Sequence, residues 1–315
     1  MITPFFRCFM IILLSIFGFL QPLRPNNFEV LELFNQKLKL DPEAIEGLNF
    51  GLTNQNFRVA VDGQFYFIRI GTNLPDLLCI ERDSEEKFYK IAQELSLTPD
   101  LLYCDINRGI IITPFVQAAK FGKIMGNWTG EPKEVIACIV KTLKRIHSFK
   151  APDSDLIPYP LRILDSYYRI GKELGANFPA ELSQAVVLAK SLDIPFGERV
   201  LCHHDLFWTN VLYDGNKVWV VDWEYADWDD PLYDLAGFCI KQGLNAAERE
   251  IALEEYIPGF QNNDRIKFDK MCRLCALNTS MWCFIQKKIH PDSEIDIEAI
   301  GKKHLTAFWQ LASPM

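Results

Sequence analysis

The 315-residue sequence lacks an excess of positive charge, because 41 acidic residues outweigh 33 basic ones and leave a formal net charge of -8. An acidic chain is a poor candidate for binding a nucleic-acid backbone by bulk electrostatics. The sequence also lacks internal repeats and low-complexity tracts. Its composition, 49% hydrophobic and 23% charged, excludes a disordered, collagen-like or multi-spanning membrane protein. The length allows one large domain or two ordinary ones.

The cysteines do not suggest a disulfide framework, because there are 9 of them, an odd number, and most lie within apolar stretches. This pattern predicts buried free thiols in a reducing compartment. One CxxC occurs, from Cys272 to Cys275, without a second CxxC or a nearby pair of histidines. Its helical surroundings favour core packing over a zinc or redox site.

The N-terminal segment 5–20 is almost entirely apolar but is interrupted by Arg7, and the uncharged run 8–23 is short for a membrane span. Three interpretations stay open: a weak membrane anchor, an uncleaved signal, or an extension that the working protein does not need. Basic residues after the segment favour a cytosolic location for the chain that follows it, and the free thiols favour the same location. We therefore expect a cytoplasmic protein with membrane contact only through residues 5–20, and we treat 1–26 as lying outside the fold.

The chain from residue 27 to 115 contains short β-rich runs around one amphipathic helix. Two runs meet at Asp62-Gly63, which is typical of a hairpin, and the helix IERDSEEKFYKIAQEL precedes two further strands, LLYCD and GIIITPF. The chain from 116 to 315 has mostly helical periodicity, except for the β-rich insert RVLCHHDLFWTNVLYDGNKVWVVDWEYA. The sequence therefore predicts an α+β fold with a small β-sheet lobe (27–115) and a larger, mainly helical lobe (116–315).

The β-rich insert carries the densest group of polar residues in an apolar setting. A DGN turn at 214–216 predicts a hairpin that brings Asn210 and Asp222 close together. Amide and carboxylate oxygens are ligands that suit Mg²⁺. Asp205, a few residues upstream, is placed to accept a proton from an attacking hydroxyl. Each residue alone would be a turn or capping residue, but together they have the spacing that phosphoryl transfer needs. A Walker A sequence is absent, which excludes a P-loop enzyme.

The pattern of His203, Asp205 and Asn210, followed by DWEYA at 222–226, resembles the protein-kinase-like small-molecule kinases. It most resembles the bacterial choline kinases of the lipopolysaccharide-modifying type. It is also similar to the broader choline/ethanolamine kinase and aminoglycoside phosphotransferase group. The resemblance extends through GLTNQNFRV, FIRI, IERDSEE, TLKRIHS and DPLYDLA, about residues 45–286. It implies a two-lobed protein-kinase-like fold and an enzyme that uses ATP and Mg²⁺ to phosphorylate an alcohol.

The resemblance also implies individual roles. Asp205 becomes the catalytic base with His203 as its orienting partner, and Asn210 and Asp222 become ligands of Mg²⁺. Arg69 stands where many such kinases have Lys, which keeps the charge but changes the shape. The nucleotide-binding set that the resemblance implies is Gly51, Thr53, Asn54, Asn56, Arg69, Glu85, Phe115 and Val116. Phe50 replaces a frequent second Gly, Asp234 resembles a buried support of the catalytic loop, and His147 and His204 are expected to be structural.

These motifs do not specify which molecule accepts the phosphoryl group. Enzymes catalyse phosphoryl transfer mainly by positioning the reactants and neutralising the charge on the phosphates. LNTSMWCFIQ resembles the aromatic-bearing helix of choline kinases, so Trp282 either faces a quaternary ammonium group or packs in the core. Glu224 would add a carboxylate near such a cation. Lys241 opposes this assignment, because the compared choline kinases carry an acidic residue there. Further candidates for an aromatic cage are Trp208, Trp223 and Trp228.

Three functions stay open at this point. The first is an ATP-dependent kinase of choline or a related amino alcohol. The second is a kinase of another cationic hydroxylated molecule, thiamine or an aminoglycoside. The third is an inactive pseudokinase that acts as a binding module, against which the presence of Asp205, Asn210 and Asp222 argues. The expected partner is a small cationic alcohol and not a nucleic acid.

Overall fold

The structure is a computed structural model that describes residues 27–48, 53–124, 126–152 and 157–312. The apolar segment 5–20 lies outside these residues. So do Phe50 and Gly51 of the predicted phosphate loop.

A five-stranded antiparallel sheet in the order β1-β2-β3-β5-β4 forms the first lobe. Its central hairpin pairs Gln55 with Ile70 and Val61 with Gln64. Asp62 and Gly63 join the two strands with φ values of 49° and 72°, the left-handed conformation that tight hairpin turns require. This confirms the hairpin predicted at Asp62-Gly63. The strands are β1 (Ala44–Leu48), β2 (Gln55–Val61), β3 (Gln64–Ile70), β4 (Tyr103–Asp105) and β5 (Ile110–Pro114).

Helices cover both faces of this sheet. Helix α1 (Asn27–Leu33) continues into a π-helical turn (Phe34–Leu38) and packs Val30 and Phe34 against the sheet. A single turn, α2 (Pro75–Leu78), leads to α3 (Arg82–Glu94), the predicted amphipathic helix. Strand β1 was not predicted, because its side chains are mostly exposed and show no alternation.

The second lobe is built from long helices around a central one, α9. The predicted helical lobe is confirmed. The helices are α4 (Pro132–Ile146), α5 (Tyr159–Leu174), α6 (Leu182–Lys190), α7 (Pro231–Lys241), α8 (Ala246–Tyr256), α9 (Asn262–Ile289) and α10 (Ile297–Gln310).

Short strands between the helices position the polar residues of the β-rich insert. Val211 pairs with Val220 across a hairpin, and Leu212 pairs with Lys120 of an earlier strand that the sequence did not predict. Asp227 pairs with Cys202 in a second ribbon. The strands are β6 (Ala119–Lys120), β7 (Lys123–Ile124), β8 (Asn127–Trp128), β9 (Val200–Cys202), β10 (Val211–Tyr213), β11 (Val218–Val220) and β12 (Asp227–Asp229).

The cysteines of the described part of the chain are free thiols, as the sequence predicts. Cys272 and Cys275 lie inside α9 and are buried, which confirms core packing for the CxxC. Burial raises the pKa of the Cys275 thiol to about 11, so this thiol is protonated at neutral pH.

The predicted localisation, with membrane contact through residues 5–20, is wrong on the present findings. Within the described ranges, no helix combines the length and the apolar character that crossing a bilayer requires. The longest of them, α9, carries charged residues along its length and forms the centre of the helical lobe.

Candidate active site

A cavity of about 2140 Å³ opens between the sheet and the helical lobe. Pockets for single small ligands usually measure about 300–1,000 Å³, so this one has room for two reactants. Nearly all the described residues that the sequence singles out lie on its wall, whereas His203 and Glu85 lie directly behind it. The predicted residues on the wall are Thr53, Asn54, Asn56, Arg69, Phe115, Val116, Asp205, Trp208, Asn210, Asp222, Trp223, Glu224 and Trp282.

The carboxylate of Asp205 is held from two sides in a loop between β9 and β10. Asn210 Nδ2 donates to Asp205 Oδ2 at 2.8 Å and to the Asp205 carbonyl at 3.0 Å. Lys241 Nζ, at the end of α7, lies 2.7 Å from Asp205 Oδ1. The Asp205 side chain is 27% exposed, so its carboxylate is reachable from the cavity. The carboxylate is thus fixed in orientation at the cavity wall by one amide and one ammonium donor.

His203 orients this loop and has no nitrogen left for proton transfer. Its Nδ1 accepts from the Asp205 backbone N–H at 3.2 Å, and its Nε2 lies 3.1 Å from the Val221 carbonyl, to which it can only donate. Burial lowers the pKa of His203, which keeps the ring neutral and in this tautomer.

Asp234, near the start of α7, ties the loop to the helical lobe. Its carboxylate accepts the backbone N–H groups of His203 at 2.9 Å and His204 at 2.8 Å, and His147 Nε2 lies 3.2 Å away. Burial by itself would raise the pKa of Asp234, but the hydrogen bond and charge of His147 hold it well below its usual range. His204 stacks on Tyr159 with ring centroids 3.8 Å apart. Both histidines therefore occupy structural positions.

Asn210 and Asp222 meet at the base of the hairpin, because the Val221 N–H donates to the Asn210 carbonyl at 3.0 Å. Asn210 uses its amide nitrogen on Asp205, and its Oδ1 accepts from the Thr209 hydroxyl at 3.1 Å, which leaves one lone pair of that oxygen for a metal ion. Asp222 uses Oδ1 on Arg69 and has a strained backbone φ of 67°. One amide oxygen and one partly exposed carboxylate form a hard-oxygen donor set, so these residues fit Mg²⁺.

Arg69 is the centre of a buried ion-pair network between the two lobes. Its guanidinium lies 2.5 Å from Glu85, 2.8 Å from Asp222 and 3.8 Å from Glu224. It also donates to the Gly109 carbonyl at 3.3 Å. Burial opposes its charge, but the three carboxylates outweigh burial and raise the pKa of Arg69. The planar fork of arginine can serve several carboxylates at once, which a lysine cannot do.

Glu224 belongs to the same network and contacts residues of the sheet lobe. Asn54 Nδ2 donates to its Oε2 at 2.9 Å, and Arg82 Nη1 lies 3.4 Å from the same oxygen. Burial and repulsion from Asp222 raise the pKa of Glu224 to about 8. Arg82 also lies 3.2 Å from Glu85 and was not among the predicted site residues. Its position one turn before Glu85 on a predicted helix was the available signal.

Three of the four tryptophans expected near a cation lie on the cavity wall, and they differ in their surroundings. Trp282 lies on the cavity wall and donates from Nε1 to the Tyr225 hydroxyl at 3.1 Å. Trp208 already has the ammonium of Lys120 over its ring at 4.1 Å. Trp223 is fully buried and packs edge-on against His203. Of the three, Trp282 is half-buried on the cavity wall without being enclosed like Trp223.

The chain is similar to known phosphotransferases. The family model described as phosphotransferase enzyme family matches residues 44–268. Protein LicA of Haemophilus influenzae is 22% identical over 275 residues, which are 83% of this chain and 78% of that protein. A probable ethanolamine kinase of Nematostella vectensis is 25% identical over 251 residues, 73% of this chain and 70% of that protein.

Solved structures support the same fold. The crystal structure of choline kinase LicA from Streptococcus pneumoniae superposes with a TM-score of 0.73 at 20% identity, over 90% of this chain and 100% of that one. The crystal structure of a choline/ethanolamine kinase family protein from Mesorhizobium loti has a TM-score of 0.68 at 20% identity, over 91% and 95%. The predicted two-lobed protein-kinase-like fold is thereby confirmed.

Proposed function

The chain belongs to the phosphotransferase enzyme family, and we propose that it transfers the terminal phosphoryl group of ATP to the hydroxyl of choline or a related small amino alcohol. The observation that carries this proposal is the loop in which Asn210 and Lys241 hold Asp205 at the cavity wall. A carboxylate fixed in this way can accept the proton of an attacking hydroxyl. The similarity to proteins named ethanolamine kinase and choline kinase supports an amino alcohol as acceptor.

The residues around Asp205 provide the rest of the machinery. Asn210 and Asp222 would hold Mg²⁺, which when bound supplies positive charge to neutralise the phosphates of the nucleotide. Arg69 anchors Asp222 at 2.8 Å and adds a fixed positive charge at the same side of the cavity. Thr53, Asn54 and Asn56 present hydroxyl and amide donors on the sheet side. Phe115 and Val116, directly after β5, supply apolar wall beside these donors.

The test is ATP consumption by the purified full chain with Mg²⁺ against a panel of choline, ethanolamine, thiamine and an aminoglycoside. Turnover with an amino alcohol is expected. Turnover with thiamine or the aminoglycoside alone would replace the proposed acceptor class. Absence of turnover with all four would contradict the proposal.

The base is tested by Asp205→Ala, which removes the proton acceptor and should lower kcat by about 10²–10⁴-fold. Nucleotide binding, followed by thermal shift, should persist. Asp165→Ala is the matched control, since Asp165 is an exposed carboxylate on α5 that pairs with Lys190. Near-normal turnover by Asp205→Ala would show that Asp205 is not the catalytic base.

A further inference from the structure

Glu224 lies where the two lobes meet on the nucleotide side of the cavity. Its side chain is 4% exposed, so little of it is open to a ligand. Its Oε2 accepts from Asn54 Nδ2 at 2.9 Å and lies 3.4 Å from Arg82 Nη1. Asn54 and Arg82 belong to the sheet lobe, whereas Glu224 follows β11 in the helical lobe. One carboxylate oxygen of the helical lobe therefore holds two side chains of the sheet lobe.

Asn54 is held at both ends of its side-chain amide. Its Oδ1 accepts from the Thr72 backbone N–H at 3.1 Å, while its Nδ2 donates to Glu224. These two bonds fix the orientation of the amide, because only its oxygen can accept and only its nitrogen can donate. Thr53, the residue before it, accepts from Gln286 Nε2 of α9 at 3.5 Å. The described end of the predicted phosphate loop is thereby tied to the helical lobe by two side chains.

Arg82 reaches Glu224 by passing between two glycines. An added Cβ at Gly71 would lie 2.8 Å from Arg82 Cζ, and one at Gly109 would lie 2.5 Å from it. Carbon atoms normally pack at about 3.5–4.0 Å, so any larger residue at either position would displace the guanidinium. The same guanidinium donates from Nη2 to the Thr72 carbonyl at 3.4 Å. Arg82 and Asn54 therefore hold the same short segment from both of its backbone groups.

We propose that Glu224 is a positioning residue for the nucleotide: through Asn54 and Arg82 it holds the phosphate loop in its binding conformation before ATP arrives. This role rests on the proposed function and differs from a place beside the cation of the acceptor. A loop that is already ordered spares the nucleotide the entropic cost of ordering it. Loss of the contact between Asn54 and Glu224 should therefore weaken nucleotide binding and leave acceptor binding unchanged.

The experiment is a double-mutant cycle of Asn54→Ala and Glu224→Ala in the full chain. The Kd of a non-hydrolysable ATP analogue with Mg²⁺ is measured by calorimetry, and the KM of the amino alcohol is measured with ATP. Each single variant should raise the Kd about tenfold, the size of one hydrogen bond to a charged group. Because both remove the same contact, the double variant should also lose about tenfold, not the roughly hundredfold of independent effects. The acceptor KM should stay unchanged.

Asn216→Ala is the matched control, because Asn216 is exposed in the turn between β10 and β11. It should leave the Kd unchanged and be additive with Glu224→Ala. Additive effects of Asn54→Ala and Glu224→Ala would overturn the inference, and so would a raised acceptor KM with an unchanged nucleotide Kd. Asn54→Ala alters a half-buried loop residue, so it remains measurable where Glu224→Ala does not fold, and an unchanged Kd for it alone overturns the inference.

Failure of the proposed function would look different, since the wild type would then neither bind the nucleotide nor phosphorylate an acceptor. In that case amide hydrogen exchange of the nucleotide-free proteins decides whether Glu224 holds the loop. The Thr72 amide, which donates to Asn54, should exchange faster in Glu224→Ala than in the wild type. Exchange at Thr72 that Glu224→Ala leaves unchanged would overturn the inference.

Discussion

The substitution Asp234→Asn tests whether the Asp234 carboxylate anchors the loop that carries Asp205. The wild-type carboxylate offers one oxygen to the His204 N–H at 2.8 Å and the other to the His203 N–H at 2.9 Å and to His147 at 3.2 Å. An asparagine has one oxygen and one NH₂ group. In either orientation of the amide, the NH₂ group faces a backbone N–H that it cannot satisfy. The substitution therefore leaves a buried donor without an acceptor.

The size of the expected loss of stability follows from the burial of Asp234. Asp234 is 1% exposed, so no water replaces the lost acceptor. Removing one partner of a buried charged pair costs about 3–5 kcal/mol. A buried donor left unsatisfied accounts for about 1–3 kcal/mol of such a loss. We expect Asp234→Asn to lower the free energy of unfolding by about 3–5 kcal/mol, and kcat to fall because the loop that carries Asp205 loses its anchor.

The contribution of Asp234 to folding stability should depend on pH in a definite direction. The pKa of Asp234 is held below its usual range in the folded protein, so its contribution to stability is fully present above the unfolded-state pKa of about 3.9. It is lost as the pH falls below that value toward the depressed pKa. Asp234→Asn should therefore lose less stability than the wild type between about pH 4 and pH 2.

The assay is urea unfolding at pH 7 followed by circular dichroism, with kcat measured on the same preparations. Asp165→Asn serves as the control, because an exposed ion pair contributes about 0–1 kcal/mol. A loss below about 1 kcal/mol for Asp234→Asn, with normal kcat, would refute the reasoning that this carboxylate anchors the loop.

Two further predictions concern the charged interior. Arg69→Met should lower the free energy of unfolding by about 3–5 kcal/mol, because it leaves Asp222 without its guanidinium and Glu85 with Arg82 alone. Urea unfolding measures this, and a loss under about 1 kcal/mol would contradict it. Burial, with added repulsion from Lys241, lowers the pKa of His304 to about 4. Because this lies below the unfolded value of about 6.5, stability should decline as pH falls from 6.5 toward 4, and His304→Asn should flatten that slope in thermal melts at each pH.

Much of the fold was predictable because its signals are local. The hairpin at Asp62-Gly63 follows from a turn that needs positive φ at both residues, and the helices follow from apolar spacing. The same holds for the hairpin that joins Asn210 to Asp222, since its DGN turn and flanking apolar strands are contiguous in sequence. Strand β1 escaped prediction because an exposed edge strand has no buried face to impose alternation.

The sequence by itself determined which residue types are available for phosphoryl transfer and the spacing of Asp205, Asn210 and Asp222, because that spacing depends on one local hairpin. Only the tertiary structure decided their partners. It brought Lys241 to Asp205 from 36 residues away and Arg69 to Asp222 from 153 residues away. Ion pairs between distant segments depend on how helices and strands pack, and sequence periodicity carries no information about that packing. The charge of the acceptor site is therefore a property of the folded protein.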